Sequence, residues 1–341
     1  MTYPALALAL AVVVAVAGCS SSTEPDDADL GDGLDGGVFA ALPLTLANIK
    51  CIHALGEINT PGQALGAHQA RWDVVELGAC GALASPPAAT PIVVSAVASG
   101  TIVAIATTGI GSVMIAINDD LEYTYRNVVL DGFFRSGTVV QAGQRLGLIG
   151  NRDSGLVFGV TDFTQVNDWL SPARYPDAYR HARHPLGYFS DARQQTLRIL
   201  GVIPADPTGR LMWDVTGTLA GNWFREGTPR TAAAVTAEWW DGHLAFHGDS
   251  SRQRVGAGAA LGLNGCRCAP RAGERRFDLV DASSGPVAYH LARVDANGTV
   301  ANTIAGTLLI EMIASDQIRA QLFAGDVASP VFTDAALTYI R

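Results

Sequence analysis

Lysine is nearly missing. Lys50 is the single lysine in a chain of 341 residues, so almost every positive charge is an arginine. That excludes a lysine Schiff base, a lysine-tethered cofactor or a P-loop lysine anywhere but at position 50. Charge of either sign is scarce at 16%, and the balance is acidic, with 23 basic against 32 acidic side chains for a formal charge of −9. Binding to nucleic acid rests on cations that neutralise phosphates, so no nucleic-acid partner is expected. A G-x-S-x-G elbow, a Walker loop and a G-x-G-x-x-G after a strand-like run are all missing. What is plentiful is apolar: 48% of residues, dispersed among 37 glycines, a composition that speaks against a disordered chain. At roughly 100–200 residues per domain, two domains are expected.

Near the amino terminus an apolar run from Ala5 to Ala17 leads into Gly18 and Cys19. It is shorter than the about 20 residues that cross a bilayer, and it suits the hydrophobic part of a signal peptide. The run resembles a bacterial lipoprotein signal, in which the cysteine is lipidated and becomes the first residue of the mature protein. The resemblance implies a signal over 1–19, export, and anchoring to the membrane of the bacterial envelope through Cys19, with the outer membrane or periplasmic face favoured by Ser20. The segment before the run lacks Lys and Arg, and an ordinary secretory signal is the alternative. Acidic, Ser- and Gly-rich residues 20–40 read as a solvated tether. Export places the other cysteines in an oxidising compartment, where Cys51 and Cys80 are disulfide candidates. Cys266 and Cys268 stand too close in a strand for an unstrained mutual bridge, although a turn would allow one. A structural role for them is expected over a C-x-C metal or redox site.

From Pro91 the chain alternates β-rich runs with glycine: Ile92–Val94, Thr101–Ala106, Ser112–Ile117, Tyr123–Val129 and Thr138–Val140, the last leading to a Gly143–Asn151 loop. Short runs at close spacing predict an antiparallel sheet or sandwich. The order of these pieces resembles the LytM or lysostaphin-type zinc peptidases of bacterial cell walls over about residues 60–190. Pro91–Val103 matches a family strand, Gly137–Gly150 a "G-x-x-V-x-x-G-Q-x-I-G-x-x-G" loop, and His184-Pro185-Leu186-Gly187-Tyr188 echoes "N-P-L-x-Y". The loop also occurs in lipoyl and biotinyl carriers, which need a hairpin lysine that is missing here.

In that family an early His, an Asp and the second His of a late H-x-H bind zinc. A Y-x-H histidine and the first His of the H-x-H assist the zinc-bound water. The resemblance implies His68 and Asp73 as remnant metal ligands, one residue further apart than the common spacing; the bland alternative pairs Asp73 with Arg71. Gly155 and Val157 stand in the two H-x-H places, and Asn127 stands in the Y-x-H place, where it can donate a hydrogen bond but cannot take a proton. No catalytic residue and no cofactor are therefore expected, and the inactive domain would bind or scaffold at the cell wall, with peptidoglycan or a cell-wall enzyme as partner. The competing expectation is an active or rebuilt zinc metalloendopeptidase, with zinc and imidazoles from His53, His181 or His184. Tyr123, Tyr125 and Phe158 are candidates for a cleft floor or for core.

Pro204, Asp206 and Pro207 mark a junction, which bounds a peptidase-like domain at 41–197 and a C-terminal β domain at 205–341. Runs at Leu211–Val215, Thr231–Trp239, His243–His247, Arg276–Val280, Val287–Val294 and Thr307–Met312 predict a β-sandwich or small barrel. His243 and His247 on a strand would stand about 13 Å apart, too far for one zinc. Trp223, Phe224, Trp239 and Trp240 are either core or a carbohydrate-stacking surface, and the latter is the basis for a glycan-binding alternative. The expected class is all-β throughout.

Overall fold

The computed structural model describes residues 37–56, 69–74, 91–107, 111–199, 202–203, 209–229, 241–248, 253–262, 266–294 and 299–341. Cys19, His68, Cys80, Trp239 and Trp240, the expected signal and most of the expected tether lie outside them. The described residues are mostly β, in antiparallel pairs throughout the named strands.

The amino-terminal strands are β1 (Cys51–Ile52), β2 (Ala70–Asp73), β3 (Val93–Ser95), β4 (Gly100–Ala106), β5 (Ser112–Ala116), β6 (Leu121–Arg126), β7 (Val128–Leu130), β8 (Val139–Val140), β9 (Arg145–Ile149), β10 (Leu156–Asp162) and β11 (Ala182–Arg183). A large sheet runs β1-β2-β10-β6-β5-β4-β8, with β11 also on β10, and a small sheet runs β3-β9-β7. Side chains of a strand alternate between faces. In β6 this sends Leu121, Tyr123 and Tyr125 inward and leaves Glu122, Thr124 and Arg126 on the other face. The inward set joins Trp72, Ile102, Val113, Ile115 and Phe158 from the large sheet with Val94 and Leu146 from the small one in a single core. Tyr123, Tyr125 and Phe158 are therefore core and line no cleft: Tyr125 and Phe158 meet edge to face at 4.9 Å. Two helices, α1 (Asp177–Arg180) and α2 (Asp191–Ile199), flank β11 in the chain, the second burying Leu197 in that core.

The carboxy-terminal strands are β12 (Gly221–Arg225), β13 (His243–Gly248), β14 (Gln253–Ala257), β15 (Cys266–Pro270), β16 (Val287–Val294), β17 (Val300–Ala314), β18 (Gln317–Ala324) and β19 (Leu337–Ile340). Each pairs with the next, and β19 returns to β12 to close a barrel. Of the two forms expected for this half, the barrel is the one adopted. Trp223, Phe246, Tyr289, Ile310 and Tyr339 fill its interior. Irregular register between β16 and β17 near Leu291–Val294 marks a bulge of the kind that lets a sheet curl to closure.

Cys266 and Cys268 are bridged to each other inside strand β15, with Cα atoms 5.4 Å apart. Positions i and i+2 of a strand share a face, and both side chains face the barrel interior. The runs Leu211–Val215 and Arg276–Val280 are not strands, and Phe277 instead heads a short 3-10 turn that plugs the barrel beside Phe246 and Tyr289. Trp223 and Phe224 are fully buried and offer no stacking surface. A third apolar cluster, with Trp169, Tyr175, Tyr179, Leu211 and Phe224, joins the two halves.

Candidate functional site

The register of β1, β2 and β10 places a row of polar side chains on the outward face of the large sheet. Cys51 lies opposite Asp73, and Val157 lies between Arg71 of β2 and Arg126 of β6. The Asp73 carboxylate is 2% exposed, so its charge must be met within the protein. Arg71 and His53 meet it. Arg71 Nε lies 2.8 Å from Oδ1, Arg71 Nη2 donates to Oδ2 at 3.1 Å, and His53 Nε2 is 2.7 Å from Oδ2. An ionised carboxylate only accepts, so His53 Nε2 carries the hydrogen of that contact. The bland alternative for Asp73, its pairing with Arg71, is thus what the side chains adopt.

Cys51, His53 and Asp73 present ligand-type atoms within 4.8 Å of one another. A rebuilt zinc site was one expectation, and this cluster is the place for it, but the described donors do not fit a zinc ion as they stand. Two ligands on one tetrahedral zinc lie about 3.3 Å apart, given bonds near 2.0–2.1 Å. His53 and Asp73 are in hydrogen-bond contact at 2.7 Å instead. Cys51 is disulfide-bonded and offers no thiolate, and the Arg71 cation already lies against both Asp73 oxygens.

Gly155 and Val157 bring no donor to this face. Gly155 has φ 60 and ψ −173, a region open to glycine alone. A Cβ there would stand 2.6 Å from the Trp72 carbonyl oxygen and 3.1 Å from Asp73 Oδ1. The backbone at this position therefore rejects any side chain, imidazole included.

Asn127 sits at the corner where the chain leaves β6 for the small sheet. Its φ of 68 is the one positive value among the described non-glycine residues, a conformation that asparagine tolerates better than most residues do. Its amide is fully used: Nδ2 donates to the carbonyls of Asn151 and Gly155 at 2.5 and 2.6 Å, and Oδ1 accepts from Asn151 N at 2.8 Å. Asn127 pins the 150–155 loop, and nothing is left over to donate to a substrate. His181 Nδ1 and His184 Nε2 are likewise spent on the carbonyls of Gln165 and His53. Of the three histidines considered for a rebuilt site, only His53 reaches Asp73. Sequence spacing gave no warning, because the partners lie 20 residues apart on strands that only the sheet aligns.

A second polar cluster lies on the outer wall of the barrel. His243 Nε2 and His247 Nε2 each lie 3.2 Å from Asn222 Oδ1, so the rings converge, contrary to the separation expected along a strand. The reason is the register: Asn222 lies opposite Ala245, midway between the two histidines, and both rings lean toward it. Full burial holds both imidazoles neutral. It pushes His247 down to about 3 and His243 well below its usual value, with His247 and Arg174 adding to the effect on His243.

No protein-family model matches the chain, and no curated protein matches it significantly. Solved structures that share part of it include Csd3 from Helicobacter pylori, 17% identical over 37% of this chain and 31% of that one, with a TM-score of 0.27. A zinc-containing peptidase from Vibrio cholerae is 15% identical over 37% of each chain, also at 0.27. The complex of SpoIIIAH and SpoIIQ is 16% identical over 36% of this chain and 92% of that one, again at 0.27. The match spans about a third of the length of the first two. These likenesses are partial, and the function proposed below stands on this chain's own residues.

Proposed function

We propose that this chain is a lipid-anchored protein of the bacterial envelope whose first domain is a LytM-type peptidase-like scaffold without a working metal centre. It acts by binding or scaffolding at the cell wall rather than by hydrolysis. The observation that carries this reading is the Asp73 carboxylate, whose oxygens are engaged by Arg71 and His53 instead of facing an open coordination position. Support comes from Gly155, whose conformation admits no ligand side chain, and from Asn127, which is committed to its own loop. Where the parent chemistry would place a dication, this chain supplies an arginine, which neutralises the carboxylate but cannot polarise a water into a nucleophile.

The test is metal analysis of the full chain purified without chelators, together with release of soluble fragments from purified peptidoglycan. Less than a tenth of an equivalent of zinc, no fragments, and co-sedimentation with the peptidoglycan are the expected results. Near-stoichiometric zinc that disappears in His53→Ala or Asp73→Ala would establish the rebuilt metallopeptidase. Lipidation is checked separately, by labelled fatty acid that is incorporated in the intact chain and lost in Cys19→Ala.

A further inference from the structure

Away from Asp73, a cleft of about 680 Å³ opens where the segment 165–188 faces residues 209–214. That volume is within the range of sites that enclose small molecules. Two arginines line it, Arg183 from β11 and Arg210 from the strand-free stretch before the barrel. Each is held by neutral acceptors. Arg183 donates from Nε to Gln165 Oε1 at 2.9 Å and from Nη1 to Asn167 Oδ1 and the Ala182 carbonyl at 2.6 and 2.7 Å. Arg210 donates from Nε to the Met212 carbonyl at 2.7 Å, and its guanidinium carbon lies over the Trp213 ring, 4.8 Å from the centroid. Among the described residues neither guanidinium forms an ion pair, and Nη2 of Arg183 and both Nη groups of Arg210 have no protein acceptor.

The bracing extends a further layer. Gln165, which orients Arg183 through its Oε1, is itself anchored by Nε2 donating to Asp162 Oδ2 at 2.7 Å. Asn167 is anchored by Nδ2 to the Tyr179 and Ala182 carbonyls. Asp162 also accepts from Tyr188 and Thr164; burial pushes its carboxyl up, but these hydrogen bonds outweigh it and hold the group ionised. The negative charge that organises this network is thus consumed two steps behind Arg183. Of the two carboxylates that face the cleft, Asp214 is occupied by Leu170 N and Asn222 N, and Asp168 is exposed. A guanidinium oriented by a relay of amides, with Nη2 left to donate, is prepared for a charge-assisted contact to an oxyanion.

We propose that this cleft binds a small molecule bearing a carboxylate or phosphate, with the oxyanion held by Arg183 and Arg210 and an apolar portion resting on Leu55, Leu211 and Met212. The site is separate from the Asp73 cluster and does not depend on how that cluster is read.

The experiment is calorimetric titration of the full chain with inorganic phosphate, phenyl phosphate, 3-phenylpropionate and the neutral 3-phenylpropan-1-ol. Phenyl phosphate or 3-phenylpropionate is expected to bind, the preference between them distinguishing the two oxyanions, while the alcohol does not. Arg210→Gln should weaken that binding about tenfold, the effect of losing one charge-assisted contact. Arg210 is exposed, so its replacement tests the site even if Arg183→Gln, which also loosens Gln165 and Asn167, fails to fold. Failure of both aromatic anions to bind, equal binding of the alcohol, or an affinity unchanged in Arg210→Gln would overturn the proposal. Inorganic phosphate binding as tightly as phenyl phosphate would overturn its apolar half.

Discussion

Lowering the pH from about 7.5 to about 5 is expected to remove about 2 kcal/mol of stability through His247, with His243 adding in the same direction. Both are fully buried with depressed values, His247 at about 3, while in an unfolded chain each titrates near 6.5. Between those limits the unfolded state binds protons that the folded state refuses, so stability falls as pH falls through 6.5 and downward. At pH 5 the unfolded form gains about 2 kcal/mol from the His247 imidazole, a figure set by the unfolded value because the folded one lies well below 5. The reason for refusal is visible: each ring already directs Nε2 to the shared Asn222 oxygen, and a second ring proton would enter a site from which water is excluded. Urea unfolding at several pH values over this range, in the wild type and in His247→Asn, is the assay. The variant should show a clearly weaker acid dependence whatever its absolute stability. An identical pH dependence in both proteins would refute the reasoning.

Four further outcomes are expected. Gly155→His should lower stability by about 3 kcal/mol or more and gain no zinc, because its Cβ meets the Trp72 carbonyl; thermal unfolding and metal analysis check it. Arg71→Met should cost about 2–3 kcal/mol in urea unfolding by leaving a buried carboxylate with His53 alone. Asn127→Ala should cost about 3 kcal/mol, and Asn127→Gly noticeably less, since glycine keeps the backbone angle while losing only the amide contacts. Tyr123, Tyr125, Tyr175, Tyr179, Tyr289 and Tyr339 have phenols raised by burial, so at pH 11 ionisation of the unfolded chain should cost about 1 kcal/mol for each. Phenolate absorbance from these six should therefore appear together with unfolding.

The strands of both halves were legible because alternation is a local property: Leu121–Arg126 and Val287–Val294 announce their buried faces within a few residues. Turn glycines such as Gly143, at φ 77, were legible for the same reason. Contacts that depend on register were not. His53 reaches Asp73 only because β1 and β2 align, and the two barrel histidines meet only because Asn222 falls opposite the residue between them. The aromatic pairs along β6 and β10 could be read as core or cleft, and only the direction of the inward face decides for core. Phe277 belongs to a run rich enough in apolar residues to suggest a strand, yet its ring is wanted at the end of the barrel, and a short turn delivers it there.

The meeting of β12 with β19 has a consequence for how the molecule is made. The ladder joining Phe224 to Ile340 and Arg225 to Tyr339 ties the first stave of the cylinder to the last, so closure waits on both. Pairings across such long stretches are slow to find. Until then the two outermost staves stand with open rims, through which unclosed copies would stick to one another.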